Sequence, residues 1–184
     1  MRLDTYSSAG FTRGRPAWLE LAWMLVQALL LSSWLPGSRH RVWLLRLFGA
    51  KVGVGVVIKP GVRIKFPWRL RIGDHSWIGE RVWIDNLAPV DIGAHTCISQ
   101  GAYLLTGNHD WASPGFDLMV QPITIGDQCW VCAKAVVIPG ARLLEGSIIG
   151  TGSVIGGVTE PWTIYRGNPA IAVKARPRKS SAAP

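Results

Sequence analysis

The sequence predicts an all-β fold wound as a hexapeptide β-helix, and three observations carry that prediction. Ile125, Val131, Val137, Leu143, Ile149 and Ile155 are aliphatic and stand six residues apart. Four residues after each comes something small: Cys129, Ala135, Ala141, Ser147, Ser153 and Thr159. The same beat recurs upstream in packets of three. A period of six fits neither the 3.6 of a helix nor the alternation of a strand. It fits a triangular prism whose short strands each send one large and one small side chain inward.

Residues 1–51 read as an apolar, basic, helical segment. From Ala17 to Leu31 the chain is apolar except for Glu20 and Gln27, which are seven apart and share one helix face. Arg13 and Arg15 precede the run, and Arg39, Arg41 and Arg46 follow it. A spanning helix needs about 20 apolar residues, and this run is shorter and carries a carboxylate. Packing on the prism, or on a neighbouring subunit, is one expectation. The other is peripheral membrane contact through residues 17–35, held by Trp18, Trp23 and Trp34 with the flanking arginines.

Residues 52–165 form the predicted prism. Val52, Ile58 and Ile64 make one coil, Ile72, Ile78 and Ile84 the next, and Ile92, Ile98 and Leu104 the third. Each packet restarts after eight residues, which puts two extra residues at one corner of every coil. With the packets after Ile125 the total is about five coils. Glycine and aspartate recur where turns are expected, at Gly73-Asp74, Gly79, Gly93 and Gly126-Asp127. Between Leu104 and Ile125 the beat stops, and residues 105–122 leave as a loop from that same corner. Excursions from a rigid solenoid are where chemistry is placed. Residues 166–184 read as a short basic tail.

The net charge of +9 sits on the two ends. Residues 52–171 hold nine basic and nine acidic side chains, whereas residues 1–51 hold seven basic against two acidic. The prism therefore offers no basic stripe, and nucleic acid is not an expected partner. Cys97, Cys129 and Cys132 without a secretory signal argue against a disulfide framework and for a cytoplasmic setting. Cys129 falls on a small inward position. Of four histidines, His40 lies in the basic N-terminal stretch, and His75 and His95 occupy equivalent turn positions twenty residues apart. Only His109 sits in the excursion, where an imidazole can act as a general base near neutral pH. Asp85, twenty residues before Leu105, falls at the root of that loop.

Residues 90–109, followed by Pro-Ile-Thr-Ile-Gly-Asp-Gln-Cys-Trp at 122–130, resemble the hexapeptide-repeat acyltransferases, which include galactoside, maltose and nodulation-factor O-acetyltransferases. Gly-Arg-Pro-Ala-Trp at 14–18, Leu-Arg-Leu-Phe-Gly-Ala at 45–50 and Thr-Gly-x-His-Asp at 106–110 extend the likeness to the colanic-acid-biosynthesis acetyltransferases. The resemblance implies a left-handed parallel β-helix assembled as a homotrimer, with active sites in clefts between subunits. It implies transfer of an acetyl group from acetyl-CoA to a sugar hydroxyl, with His109 as base and no metal.

The same resemblance assigns the remaining site residues. Asp85 or Asn86 falls where relatives contact the acceptor, and Asp110 is a candidate to orient the imidazole. Trp130 and Ala133 fall on the donor side, although Trp130 equally suits subunit packing. Gly150, Thr151 and Gly152 fall where backbone approaches the donor. Lys174 matches the second residue of the basic pair that meets CoA phosphates, while the first is replaced by Ile171. Arg166, Arg176 and Arg178 are the substitutes available. Three other readings remain: an amino-sugar N-acetyltransferase, a non-catalytic scaffold, and a zinc carbonic anhydrase on the same prism. The last needs three converging histidines, two of them close in sequence, a spacing that His75, His95 and His109 lack.

Overall fold

The computed structural model describes residues 2–8 and 10–178, so the end of the basic tail at 179–184 lies outside the described residues. The chain winds into a parallel β-helix with three faces. The first face stacks Lys51–Val52, Leu70–Ile72, Val90–Ile92, Ile123–Ile125 and Arg142–Leu143. The second stacks Val57–Ile58, Trp77–Ile78, Cys97–Ile98, Trp130–Val131, Ile148–Ile149 and Thr163–Gly167. The third stacks Arg63–Ile64, Trp83–Asp85, Tyr103–Leu105, Val136–Val137 and Val154–Ile155.

Every large position of the repeat is buried, and so are all six small positions from Cys129 to Thr159. The predicted registers hold, with Ile72 beside Ile92, Ile92 beside Ile125 and Asp85 beside Leu105. The five predicted coils are complete. A sixth is begun by Thr163–Gly167 and by a bridge from Val158 to Arg142.

The turns fall where Gly73-Asp74, Gly79, Gly93 and Gly126-Asp127 mark them. Gly73, Gly79, Gly93 and Gly126 are not the left-handed residues. At Gly73 a Cβ would lie 2.5 Å from the Ala94 nitrogen in the coil above, so glycine is required there by close stacking. The left-handed position comes two residues later, at His75 (φ 55°) and His95 (φ 54°), whose rings stack with centroids 5.3 Å apart. Inward hydroxyls stitch the coils together. Ser76 donates to the Gly93 carbonyl at 2.7 Å and Thr96 to that of Gly126 at 2.8 Å, leaving those buried groups satisfied.

The N-terminal segment covers the lower end of the prism. Helix α1 (Ala17–Val26) starts after Pro16, runs through good helix formers and widens into one turn at Gln27–Leu31. Helix α2 (Arg39–Leu47) follows. Unpaired backbone groups of the first coil meet this segment. Ile58 N–H donates to the Ser38 hydroxyl and Ile64 N–H to Gln27 Oε1, both at 2.6 Å. Trp23 Nε1 donates to the Ile64 carbonyl at 2.7 Å and Arg46 to that of Val52 at 2.7 Å. The loop between the helices is held by Arg41, fully buried without a carboxylate partner. Its guanidinium instead donates to the carbonyls of Leu31, Ser33, Leu35 and Gly37.

At the upper end, residues expected within the tail form the strand Ala170–Ala175, antiparallel to Thr163–Gly167. Residues 2–8 and 10–16, expected within the helical segment, instead form an arm on the prism wall: Trp68 Nε1 donates to the Arg13 carbonyl at 2.9 Å, and Arg2 N–H to that of Pro114 at 2.9 Å.

Candidate active site

The excursion is an ordered β-hairpin. Gly107–His109 pairs antiparallel with Leu118–Val120. Thr106 roots it in the prism, since its hydroxyl donates to the Asp85 carbonyl at 3.0 Å and accepts from Ala88 N–H at 2.9 Å. His109 ends the first strand. Its Nδ1 lies 2.9 Å from the Phe116 carbonyl, and the Phe116 ring stacks on the imidazole at 4.2 Å with the planes 2° apart. A carbonyl only accepts, so Nδ1 carries the proton and Nε2 holds the lone pair. That is the tautomer a base requires.

Asp110 does not orient this ring. Its carboxylate accepts from the N–H groups of Ala112 (3.0 Å) and Ser113 (3.2 Å), bracing the hairpin turn. Asn86 also departs from its expected place. It is fully buried, and its amide is committed to Phe66, accepting from the N–H at 2.9 Å and donating to the carbonyl at 2.7 Å. The carboxylate of Asp85 lies 3.2 Å from Lys65 Nζ and accepts from the Tyr103 hydroxyl at 3.4 Å. Burial, then the Asp85 charge, pushes the Tyr103 phenol up, so it stays a donor.

His109 lines a cavity of about 460 Å³ with Tyr6, Phe11, Arg13, Glu20 and Lys65. A second hollow of about 340 Å³ shares Glu20 and Lys65 and runs on to Trp83 and Asp85. Tyr6 sits 5.9 Å from the imidazole, ring to ring, and Arg13 pairs with Glu20 at 2.8 Å. The arm and α1 therefore wall the histidine, and the sequence marked Arg13 and Glu20 only as parts of the helical segment. Lys65 was within reach of the repeat, because it lies twenty residues below Asp85. No periodicity points to Tyr6 or Phe11.

On the donor side, Trp130 is half exposed on the second face, with Nε1 donating to the Ser99 hydroxyl at 2.8 Å. Gly152 stacks above Ala133, donating to its carbonyl at 3.0 Å, and lies at φ 68° with open space around it. Gly150 donates to the Tyr165 carbonyl at 2.8 Å, and Thr151 is exposed between the two glycines. Arg166 and Lys174 are exposed on the terminal hairpin, paired with Ile171 and Ile164 respectively. Arg176 is less available, because its guanidinium donates to the Gln128 and Gly146 carbonyls.

The candidate residues thus fall in two separate places. The histidine leaves the corner between the third and first faces. Trp130, Ala133 and the Gly150–Gly152 turn lie on the second face and its junction with the third.

A solenoid of six-residue turns, with an imidazole in a polar cavity at its one long excursion, points to a transferase built on hexapeptide repeats. Residues 122–157 match the family model for the bacterial transferase hexapeptide (six repeats). A relative 41% identical over 169 residues spans 91% of this chain and 92% of its own length. The chain belongs to the hexapeptide-repeat acyltransferases. That relative is WcaF of Escherichia coli (strain K12), whose name assigns it to colanic acid biosynthesis as an acetyltransferase. Among solved structures, the hexapeptide-repeat acetyltransferase VCA0836 of Vibrio cholerae O1 biovar eltor, complexed with acetyl coenzyme A, superposes with a TM-score of 0.83. It is 22% identical, over 95% of this chain and 97% of its own. A maltose O-acetyltransferase from Clostridium difficile 630 gives 0.81 at 19% identity, over 97% and 99%.

Proposed function

We propose that this acyltransferase moves an acetyl group from acetyl-CoA to a hydroxyl of a sugar, in an exopolysaccharide or lipid-linked glycan precursor, on the cytoplasmic side. The observation that carries the reading is the tethered imidazole of His109 at the wall of a cavity rich in polar and aromatic groups. Its Nε2 takes the proton of the acceptor hydroxyl as that oxygen attacks the thioester carbonyl. The C–S bond breaks, and the CoA thiolate leaves and takes up the proton. Tyr6 and Phe11 offer aromatic faces to a sugar ring, while Glu20, Lys65 and Asp85 offer hydrogen bonds to its hydroxyls. Trp130, Ala133, Gly150, Thr151 and Gly152 border the slot for pantetheine, and Arg166 and Lys174 meet its phosphates.

The separation of these two places supports a homotrimer in which the donor groove of one subunit faces His109 of the next. So does the contrast between faces. The outward row of the first face is Lys51, Arg71, Asp91, Thr124 and Arg142, whereas that of the second is Val57, Trp77, Cys97, Trp130, Ile148 and Ile164. A lasting apolar row of that length needs a cover.

Incubation with labelled acetyl-CoA and a panel of sugars, nucleotide sugars and lipid-linked glycans, read by mass spectrometry, tests the reaction. The expected product is an ester. Exclusive amide formation on amino sugars would replace the hydroxyl reading, and no transfer despite acetyl-CoA binding would end it.

A further inference from the structure

The exposed side of α1 is apolar, which is unusual for a helix lying on a protein surface. Trp23 and Gln27, with Glu20 beside them, point to the prism. On the opposite side, at helical spacing, stand Trp18, Leu21, Leu25 and Leu29, exposed by 69, 59, 57 and 71%. The next loop continues this face with Trp34 and Leu35, exposed by 65 and 51%. These two are not carried on a slack loop, because Arg41 grips the carbonyls of Ser33, Leu35 and Gly37 around them.

Cations border the face. Arg15 and Arg39 are exposed at the starts of α1 and α2, and Arg81 lies over the Trp34 ring at 5.7 Å. The only acidic side chains among residues 1–51 are Asp4 and Glu20, each paired with its own arginine. Among the described residues no helix is long and apolar enough to cross a membrane. The α1 run and its wide turn together hold 15 residues, against about 20 for a span.

We propose that this face docks the protein on the surface of a bilayer containing anionic phospholipid. Tryptophan and leucine enter the interface while the arginines remain at headgroup level. The occupant is chosen on charge, since among the described residues the arginines bordering this apolar crest, Arg15, Arg39 and Arg81, enter no ion pair, which suits an anionic lipid surface. The inference deepens the acetyl-transfer reading, because Glu20 on the inner side of the same helix lines the His109 cavity. Docking would hold that cavity beside lipid-borne glycan precursors.

Co-sedimentation of the full-length protein with phosphatidylglycerol–phosphatidylethanolamine vesicles, against phosphatidylcholine vesicles, tests the proposal. Preferential sedimentation with the anionic vesicles is expected. The double variant Leu25→Glu/Leu29→Glu should weaken binding at least about tenfold. The charge reversal Arg15→Glu/Arg39→Glu should weaken it too, as should raised salt, and it changes only exposed side chains should the first variant fold poorly. Acetylation of a water-soluble acceptor without vesicles should be unaffected, which separates this proposal from the reaction itself. Absence of vesicle binding by the wild-type protein would overturn the proposal. Dissociation of the oligomer by Leu25→Glu/Leu29→Glu would overturn it too, by showing that a second copy covers the face.

Discussion

Between residues 52 and 158 each coil is positioned by the one beneath it, whereas the N-terminal arm (residues 2–8 and 10–16) and the hairpin at 107–120 are positioned by contacts that occur once. The prism repeats one solution: a buried aliphatic residue, a small neighbour and a turn set by close backbone stacking. The arm and hairpin rely on individual bonds, such as Arg2 N–H to the Pro114 carbonyl and His109 Nδ1 to that of Phe116. Damage to the first region should therefore register as lost stability. Damage to the second should register as lost turnover or altered acceptor affinity on an intact fold.

His109→Ala should separate the regions most widely. Turnover is expected to fall roughly 10²–10⁴-fold, the range for losing a general base, while acetyl-CoA still binds and the denaturant midpoint stays put. Turnover near the wild-type value would remove the histidine from the mechanism.

Ile98→Ala is the reverse case. Its side chain is fully buried in mid-prism, and the truncation should cost about 2–5 kcal/mol in denaturant unfolding. Stability unchanged within error would mean that the coils do not share one core.

Asn86→Ala probes the border. Breaking both bonds to Phe66 should cost about 1–3 kcal/mol and leave the KM for acceptor alone. A raised KM at full stability would return Asn86 to the site.

Tyr6→Ala should change stability by no more than about 0.5 kcal/mol, since the residue is 42% exposed, and raise the acceptor KM several-fold. An unchanged KM would detach the arm from acceptor binding.

The smallest effect concerns thiols. Burial, more than any neighbouring group, pushes Cys129 up to about 11, so at about pH 8 almost no thiolate is present to react. Alkylation of native protein should label half-buried Cys97 first and Cys129 last, as peptide mass spectrometry would record. Early labelling of Cys129 would indicate a breathing upper prism.

The prism was legible because its signal recurs, and fifteen aliphatic positions fixed both period and register before any coordinates. The coil length of twenty likewise placed Asp85 beside Leu105. The seven-residue spacing of Glu20 and Gln27 marked the face of α1 that meets the prism. The turn glycines marked the corners, but the composition of a corner does not say whether glycine answers a dihedral or a crowded neighbour. The place of Asn86 was not legible, because no spacing reveals that its amide is taken up by the Phe66 backbone. The arm was invisible for want of any repeat, and its aromatic residues gain meaning only once the chain folds back over the hairpin.

A parallel solenoid ends in naked strand edges, each a template for the next molecule. Here the hydrogen bonds from Ser38, Gln27, Trp23 and Arg46 close the lower rim, and an antiparallel strand closes the second face above. The helices are thus a stopper as much as a wall of the His109 cavity. A shortened chain lacking them would present bare rims that invite end-to-end polymerisation into filaments.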